Sequence, residues 1–122
     1  MAIAAKETGA LAQWYVDVLG FRVVTDGGAT GTWFIGPPEG QALIEIIKAS
    51  DAPMHERARN DPGWSHLAFT VHDFDAAVKA LTEKGVTFTG DPMMSGGGDR
   101  LAFFLDRDGN VLQIVGRVKP LS

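Results

Sequence analysis

The chain of 122 residues contains no cysteine, which excludes disulfide bonds, thiolate metal ligands and cysteine nucleophiles. No apolar run approaches the roughly 20 residues that a membrane-spanning helix needs, and the first residues lack the basic and apolar regions of a signal peptide. The net charge is −4 without a block of like charges, which disfavours nucleic acid and anionic membranes as partners. These absences predict a cytoplasmic protein.

What the chain does contain is typical of a soluble globular domain. Hydrophobic residues make up 45% and charged residues 21% of the sequence. A short strand is predicted over residues 2–5, followed by a helix over residues 8–19 with Leu11, Tyr15 and Val18 on one stripe. Gly20 is predicted to end this helix in the left-handed conformation. Strands are then predicted over residues 21–25, 32–35 and 42–47.

The same order of elements returns after a connector over residues 49–63 that is rich in polar residues, proline and glycine. A strand is predicted over residues 64–71, then a helix that Asp73 caps and Gly85 closes. Strands follow over residues 86–88, 101–105 and 111–115, the last two joined by a tight turn at residues 106–110. We therefore expect one domain, 1–122, built from a repeated βαβββ unit, with module 1 at about residues 1–48 and module 2 at about residues 64–118.

The repeat puts polar and aromatic residues at equivalent positions in the two modules. Glu45 corresponds to Gln113, and Phe34 corresponds to Phe103. Because burying a carboxylate alone is costly, Glu45 inside its apolar strand is expected to face a polar cavity or to have a partner. Strand parity predicts that Glu45, His66 and Gln113 point into a common cavity, with Phe34 and Phe103 nearby.

Three sequence motifs occur in register with this repeat. Residues 14–21 read WYVDVLGF, residues 64–71 read WSHLAFTV, and residues 103–110 read FFLDRDGN. Together they resemble motifs of the vicinal oxygen chelate superfamily, which comprises glyoxalases, bleomycin-resistance proteins and extradiol dioxygenases; Arg107 stands where proline is usual. The resemblance implies an α+β fold in which two tandem βαβββ modules form a curved mixed β-sheet with helices on the outer face. It also implies a homodimer.

The resemblance further implies where a metal would bind. Members with chemistry use a divalent cation such as Ni, Co, Mn, Zn or Fe, held by ligands on the first, fourth, fifth and eighth strands. Carried over to this chain, the fourth-strand carboxylate falls on Glu45, the fifth-strand histidine on His66 and the eighth-strand glutamate on Gln113. The first-strand ligand falls at or just before Met1, where the chain offers none. Because an amide is a poorer ligand than a carboxylate for a hard cation, we expect no complete metal site.

Three functions stay open at this point. The leading interpretation is a protein of the bleomycin-resistance type that binds a small molecule without a cofactor, in a pocket lined by Glu45, His66, Gln113, Phe34 and Phe103. The second is a metal-dependent lyase, isomerase or epimerase of glyoxalase type that uses Glu45, His66 and Gln113. The third is a metal-free enzyme with Glu45 as general base.

Overall fold

The computed structural model describes residues 1–56 and 58–121. The chain divides into two compact units, Met1–Glu56 and Arg57–Ser122, each with one helix and its own mixed sheet. The division falls inside the predicted connector, of which residue 57 lies outside the described residues. This order of elements confirms the predicted α+β fold of tandem βαβββ modules. Neither of the two described helices is long and apolar enough to cross a membrane.

The first unit is a four-stranded sheet with the strand order β1-β4-β3-β2. Strand β1 runs parallel to β4, whereas β3 is antiparallel to both β4 and β2. The elements are β1 (Ala2–Ala5), α1 (Thr8–Leu19), β2 (Arg22–Thr25), β3 (Trp33–Gly36) and β4 (Ile44–Lys48).

Local sequence signals explain the first helix. Leu11, Ala12 and Tyr15 are buried at spacings of one helical turn or less, which gives α1 an apolar face for the sheet. Gly20 ends the helix with φ of 70°, a conformation that glycine adopts without a steric penalty. The amide of Phe21 then donates to the carbonyl oxygen of Tyr15 at 3.1 Å, which satisfies a free carbonyl of the last turn. The bounds and the end of this helix are those predicted.

The second unit has a sheet of five strands, in which β5, β9, β8 and β6 follow one another and β7 also pairs with β8. Strand β5 is parallel to β9, and the other pairs are antiparallel. The elements are β5 (Leu67–Thr70), α2 (Phe74–Glu83), β6 (Thr87–Phe88), β7 (Met93–Met94), β8 (Arg100–Leu105) and β9 (Val111–Gly116).

Two predictions for this unit are wrong. The βαβββ unit predicts four strands for module 2, but the exposed pair Met93–Met94 forms a fifth, β7, against β8. Two residues are too short to show a period-2 pattern in the sequence. The strand predicted from residue 64 begins only at Leu67, which pairs with Leu112. His66 therefore lies just before the strand, because the ladder between β5 and β9 begins at the Leu67–Leu112 pair.

Polar side chains fix the ends of the elements in the second unit as predicted. Asp73 caps α2, because its Oδ1 accepts from the backbone amide of Ala76 at 3.0 Å. At the turn between β8 and β9, Asp106 Oδ1 accepts from the amides of Asp108 and Asn110, both at 2.9 Å. Gly109 completes this turn with φ of 86°.

Candidate functional site

In the first unit, the register places three residues in one row across the sheet. Ala2 lies opposite Glu45 on one side, and Phe34 lies opposite Glu45 on the other. A Cβ on Gly9 of α1 would lie 3.4 Å from Trp33, so Trp33 faces the helix and the alternating neighbour Phe34 faces away from it. The row of Glu45 and Phe34 therefore occupies the face of the sheet that α1 leaves uncovered.

Glu45 and Phe34 are both half-buried in this row. Among residues 1–56, no group forms a hydrogen bond or an ion pair with the Glu45 carboxylate. Because burying a carboxylate without a partner would be costly, its half-buried position leaves it in contact with water. The carboxylate is therefore accessible to a ligand.

The equivalent row of the second unit contains Ala68, Gln113 and Phe103, joined by the pairs Ala68–Gln113 and Phe103–Gln113. A Cβ on Gly116 would lie 2.9 Å from the Phe74 side chain of α2, so even-numbered residues of β9 face the helix. Gln113 consequently faces away from it. The tight turn predicted at residues 106–110 thus aligns β8 and β9 so that Phe103 lies opposite Gln113.

Gln113 is 7% exposed and Phe103 is 8% exposed. Within residues 58–121, no group hydrogen-bonds the Gln113 side-chain amide, and neither of its polar atoms is sealed from solvent. Most buried side-chain amides are hydrogen-bonded to protein or to ordered water. Gln113 thus presents a free donor and a free acceptor beside an aromatic ring.

His66 lies against the same ring. The imidazole and the Phe103 ring have centroids 5.0 Å apart and cross at 89°, an edge-to-face contact that aromatic quadrupoles favour. The Oγ of Ser65 lies 2.8 Å from His66 Nδ1. If Ser65 donates this hydrogen bond, Nε2 carries the ring proton and is a donor; in the other tautomer Nε2 is an acceptor.

Arg59 is a site residue that the sequence did not indicate. Its guanidinium carbon lies 4.1 Å from the centroid of the Phe103 ring, within the range of a cation–π contact. Arg59 belongs to the connector between the modules, where no hydrophobic period shows which way a side chain points. Only the folded path of that connector brings the guanidinium over the ring.

The structure therefore brings four of these residues together in the second unit: Arg59, His66, Phe103 and Gln113. In the first unit it brings Phe34 and Glu45 together. A family model of the Glyoxalase/Bleomycin resistance protein/Dioxygenase superfamily matches residues 1–114. The chain belongs to this superfamily.

Individual relatives agree with the superfamily assignment. The uncharacterized protein YwkD of Bacillus subtilis (strain 168) is 35% identical over 101 residues, covering 78% of this chain and 77% of its own. The crystal structure of a superfamily member from Sphaerobacter thermophilus DSM 20745 is 31% identical, with a TM-score of 0.77 over 96% of this chain and 94% of that one. TnmS3, an antibiotic-binding protein from Streptomyces sp. CB03234, is 25% identical, with a TM-score of 0.71 over 93% and 89% of the two chains.

The donor set of this superfamily member does not match the four-ligand metal site that members with chemistry use. Glu45 is an anionic oxygen donor, but Gln113 offers a neutral amide at the equivalent position. Within neither unit, over residues 1–56 and 58–121, do three His, Asp or Glu side chains come together. Ala2 faces Glu45 as Ala68 faces Gln113, so the position corresponding to His66 would precede Met1.

Proposed function

We propose that this superfamily member binds a small, flat organic molecule and needs no complete metal site to do so. The observation that carries the proposal is the Gln113 amide, which is 7% exposed and lies beside Phe103. Because the polar atoms of this amide still reach solvent, a ligand can hydrogen-bond them while it contacts the adjacent ring. Such a hydrogen bond contributes about 0.5–1.5 kcal/mol net.

The similarity to TnmS3, described as an antibiotic-binding protein, supports a small organic molecule as the class of ligand. The side chains around Phe103 support a flat ligand. Phe103 offers ring edges, His66 offers a second aromatic plane at right angles to it, and Gln113 offers both a donor and an acceptor. Apolar surface with a few directed polar groups is typical of ligand pockets.

Titration with 2-naphthamide, a neutral flat probe, tests the proposal. In amide NMR spectra we expect the signals of Ala68, Phe103 and Gln113 to shift together as the probe is added. Gln113→Leu should weaken binding by about tenfold, equivalent to the loss of one hydrogen bond of about 1.4 kcal/mol. Gln41→Leu is the matched control, because Gln41 is an exposed residue in the first unit and its loss should leave the affinity unchanged.

Two results would contradict binding at this row. One is the absence of any shift at millimolar probe. The other is equal affinity of wild type and Gln113→Leu.

The unpaired Glu45 carboxylate favours a second candidate, a metal-free enzyme in which Glu45 removes a proton from a carbon next to a carbonyl. Hydroxyacetone in deuterated water is a suitable probe, since loss of its carbon-bound protons is visible by NMR. Catalysed exchange that disappears in Glu45→Gln would support this candidate. Exchange at the same rate with wild type and buffer would dismiss it for this class of substrate.

We further propose that the chain forms a homodimer. The support is apolar surface: each unit exposes large hydrophobic side chains, among them Val23, Val24 and Ile47 in the first and Met93 and Met94 in the second. Sedimentation at micromolar concentration should give the mass of two chains. A single species with the mass of one chain would contradict the dimer.

A further inference from the structure

We propose that the ligand of this site carries a carboxylate group and that Arg59 binds it. The inference rests on the proposed function and adds the charge of the ligand to it. Its starting point is a difference among the arginines of the second unit. Within residues 58–121, Arg100 pairs with Asp75 at 2.7 Å, Arg107 with Asp108 at 3.1 Å and Arg117 with Asp99 at 3.2 Å.

Arg59 has no such partner among residues 58–121; its guanidinium lies over the Phe103 ring instead. The acidic residue that follows it in the chain, Asp61, uses Oδ2 to accept from the amide of Ala58 at 2.8 Å. The ring contact restricts a long side chain without using its N–H donors in hydrogen bonds. The five N–H donors of Arg59 therefore have no acceptor among residues 58–121 and are available for a ligand.

Two other polar groups around Phe103 can donate hydrogen bonds to the same anion. Ser65 occupies Nδ1 of His66, so only Nε2 is left for a ligand. An anion selects the tautomer in which Ser65 donates and Nε2 carries the proton. The Gln113 amide adds a neutral donor on the adjacent strand.

This arrangement matches a carboxylate better than other anions. A guanidinium fork and a carboxylate form two parallel hydrogen bonds, and such charge-assisted pairs are stronger than neutral ones. One arginine balances the single charge of a carboxylate, whereas a phosphate monoester carries close to two charges at neutral pH. The geometry points to a flat organic acid, with Phe103 as the residue that positions Arg59.

Calorimetric titration of 2-naphthoate and 2-naphthamide into the full chain tests the inference, because the two probes differ in charge and share their ring system. Wild type should bind the carboxylate at least about tenfold more tightly, and the difference should shrink as salt is added. Arg59→Gln should remove the preference, and Arg59→Lys should restore part of it. Lys79→Gln is the matched control, because Lys79 is an exposed cation on α2, the helix on the other face of the sheet.

The outcomes separate the two proposals. Equal affinity of wild type for the two probes overturns the carboxylate and leaves ligand binding intact. A preference that survives in Arg59→Gln with an unchanged unfolding midpoint overturns the role of Arg59. Much tighter binding of 2-naphthyl phosphate than of 2-naphthoate overturns the assignment of a carboxylate. Failure of both naphthalene probes to bind overturns the proposed function together with this inference.

Discussion

The two units share an order of elements and a register but differ in how much water reaches the face that each helix leaves uncovered. In the first unit, Glu45 is half-buried and Ile47, two residues further along the same strand, is 37% exposed. In the second, Gln113 is 7% exposed and Val115 is 2% exposed. The charged residue stands where water remains, and the neutral amide stands where it is nearly absent. Although the repeat makes the two positions equivalent, the higher cost of burying a charge at the second position favours a neutral side chain there.

The units also differ in how their elements begin and turn. Strands β8 and β9 are joined by the short turn at residues 106–110, which Asp106 holds with its carboxylate. The connection between β3 and β4 spans residues 37–43 and is held from outside, by a hydrogen bond that the Arg22 guanidinium donates to the carbonyl oxygen of Gly40 at 3.2 Å. Helix α2 has a side-chain cap, whereas the Glu7 side chain makes no capping hydrogen bond at the start of α1. At these two places the second unit therefore has the more local polar contacts.

The largest expected effect comes from breaking the Asp106 turn. Asp106 is 5% exposed, and its carboxylate accepts from two backbone amides and from Asn110 Nδ2 at 2.8 Å. Asp106→Ala leaves these donors without a partner and should lower the free energy of unfolding by about 3 kcal/mol. Glu39→Ala, in the exposed connection of the first unit, should change it by less than about 0.5 kcal/mol. Urea unfolding measures both, and a loss below about 1 kcal/mol for Asp106→Ala would contradict the anchoring role.

A reciprocal exchange of the equivalent polar residues gives the next largest effect. Gln113→Glu puts a carboxylate at a position that is 7% exposed, and Arg59 over the neighbouring Phe103 ring offsets only part of its desolvation, so the variant should lower the free energy of unfolding by about 2 kcal/mol. Glu45→Gln removes a charge that water already solvates, and its effect should stay within about 0.5 kcal/mol. Chemical denaturation of the two variants at neutral pH compares the environments directly. Equal losses would show that the two faces do not differ in polarity.

The Gln113→Glu variant also tests how the polar residue at this position affects metal affinity. We expect wild type to bind Ni, Co, Mn or Zn weakly in calorimetric titrations, because Glu45 is the anionic donor of the first row, and the second row offers the neutral Gln113 amide with His66 nearby. Gln113→Glu should tighten binding, most clearly together with a histidine placed just before Met1, where the register puts the counterpart of His66. Tight stoichiometric binding by the unaltered chain would remove the main support for a metal-independent binder.

Local signals made most of the fold predictable from the sequence. The bounds of α1, the left-handed Gly20, the Asp73 cap and the turn at residues 106–110 each depend on neighbours within a few residues. Strand β7 was missed because two residues show no period-2 pattern, and the late start of β5 was missed because it depends on pairing with β9, which lies some 45 residues further along the chain.

The candidate site also combines contacts that local sequence signals predict with contacts that they do not. The Phe103–Gln113 pair follows from a short turn and strand parity, both of which are local. The contact between Arg59 and Phe103 does not follow from local signals, since it joins residues that lie 44 positions apart in the sequence. No pattern inside the connector indicates that contact.

The smallest expected effect concerns the cap of α2. Asp73→Ala removes the acceptor for the Ala76 amide and should cost about 1 kcal/mol in the free energy of unfolding, whereas Asp73→Asn keeps an acceptor and should cost a few tenths. Because α2 lies on the opposite face of the sheet from Gln113, neither variant should change the affinity for 2-naphthoate. Urea unfolding and calorimetry on the same samples measure both quantities. A loss of affinity that follows the loss of stability would mean that the helix supports the binding face, and the two faces of the second unit would then not be independent.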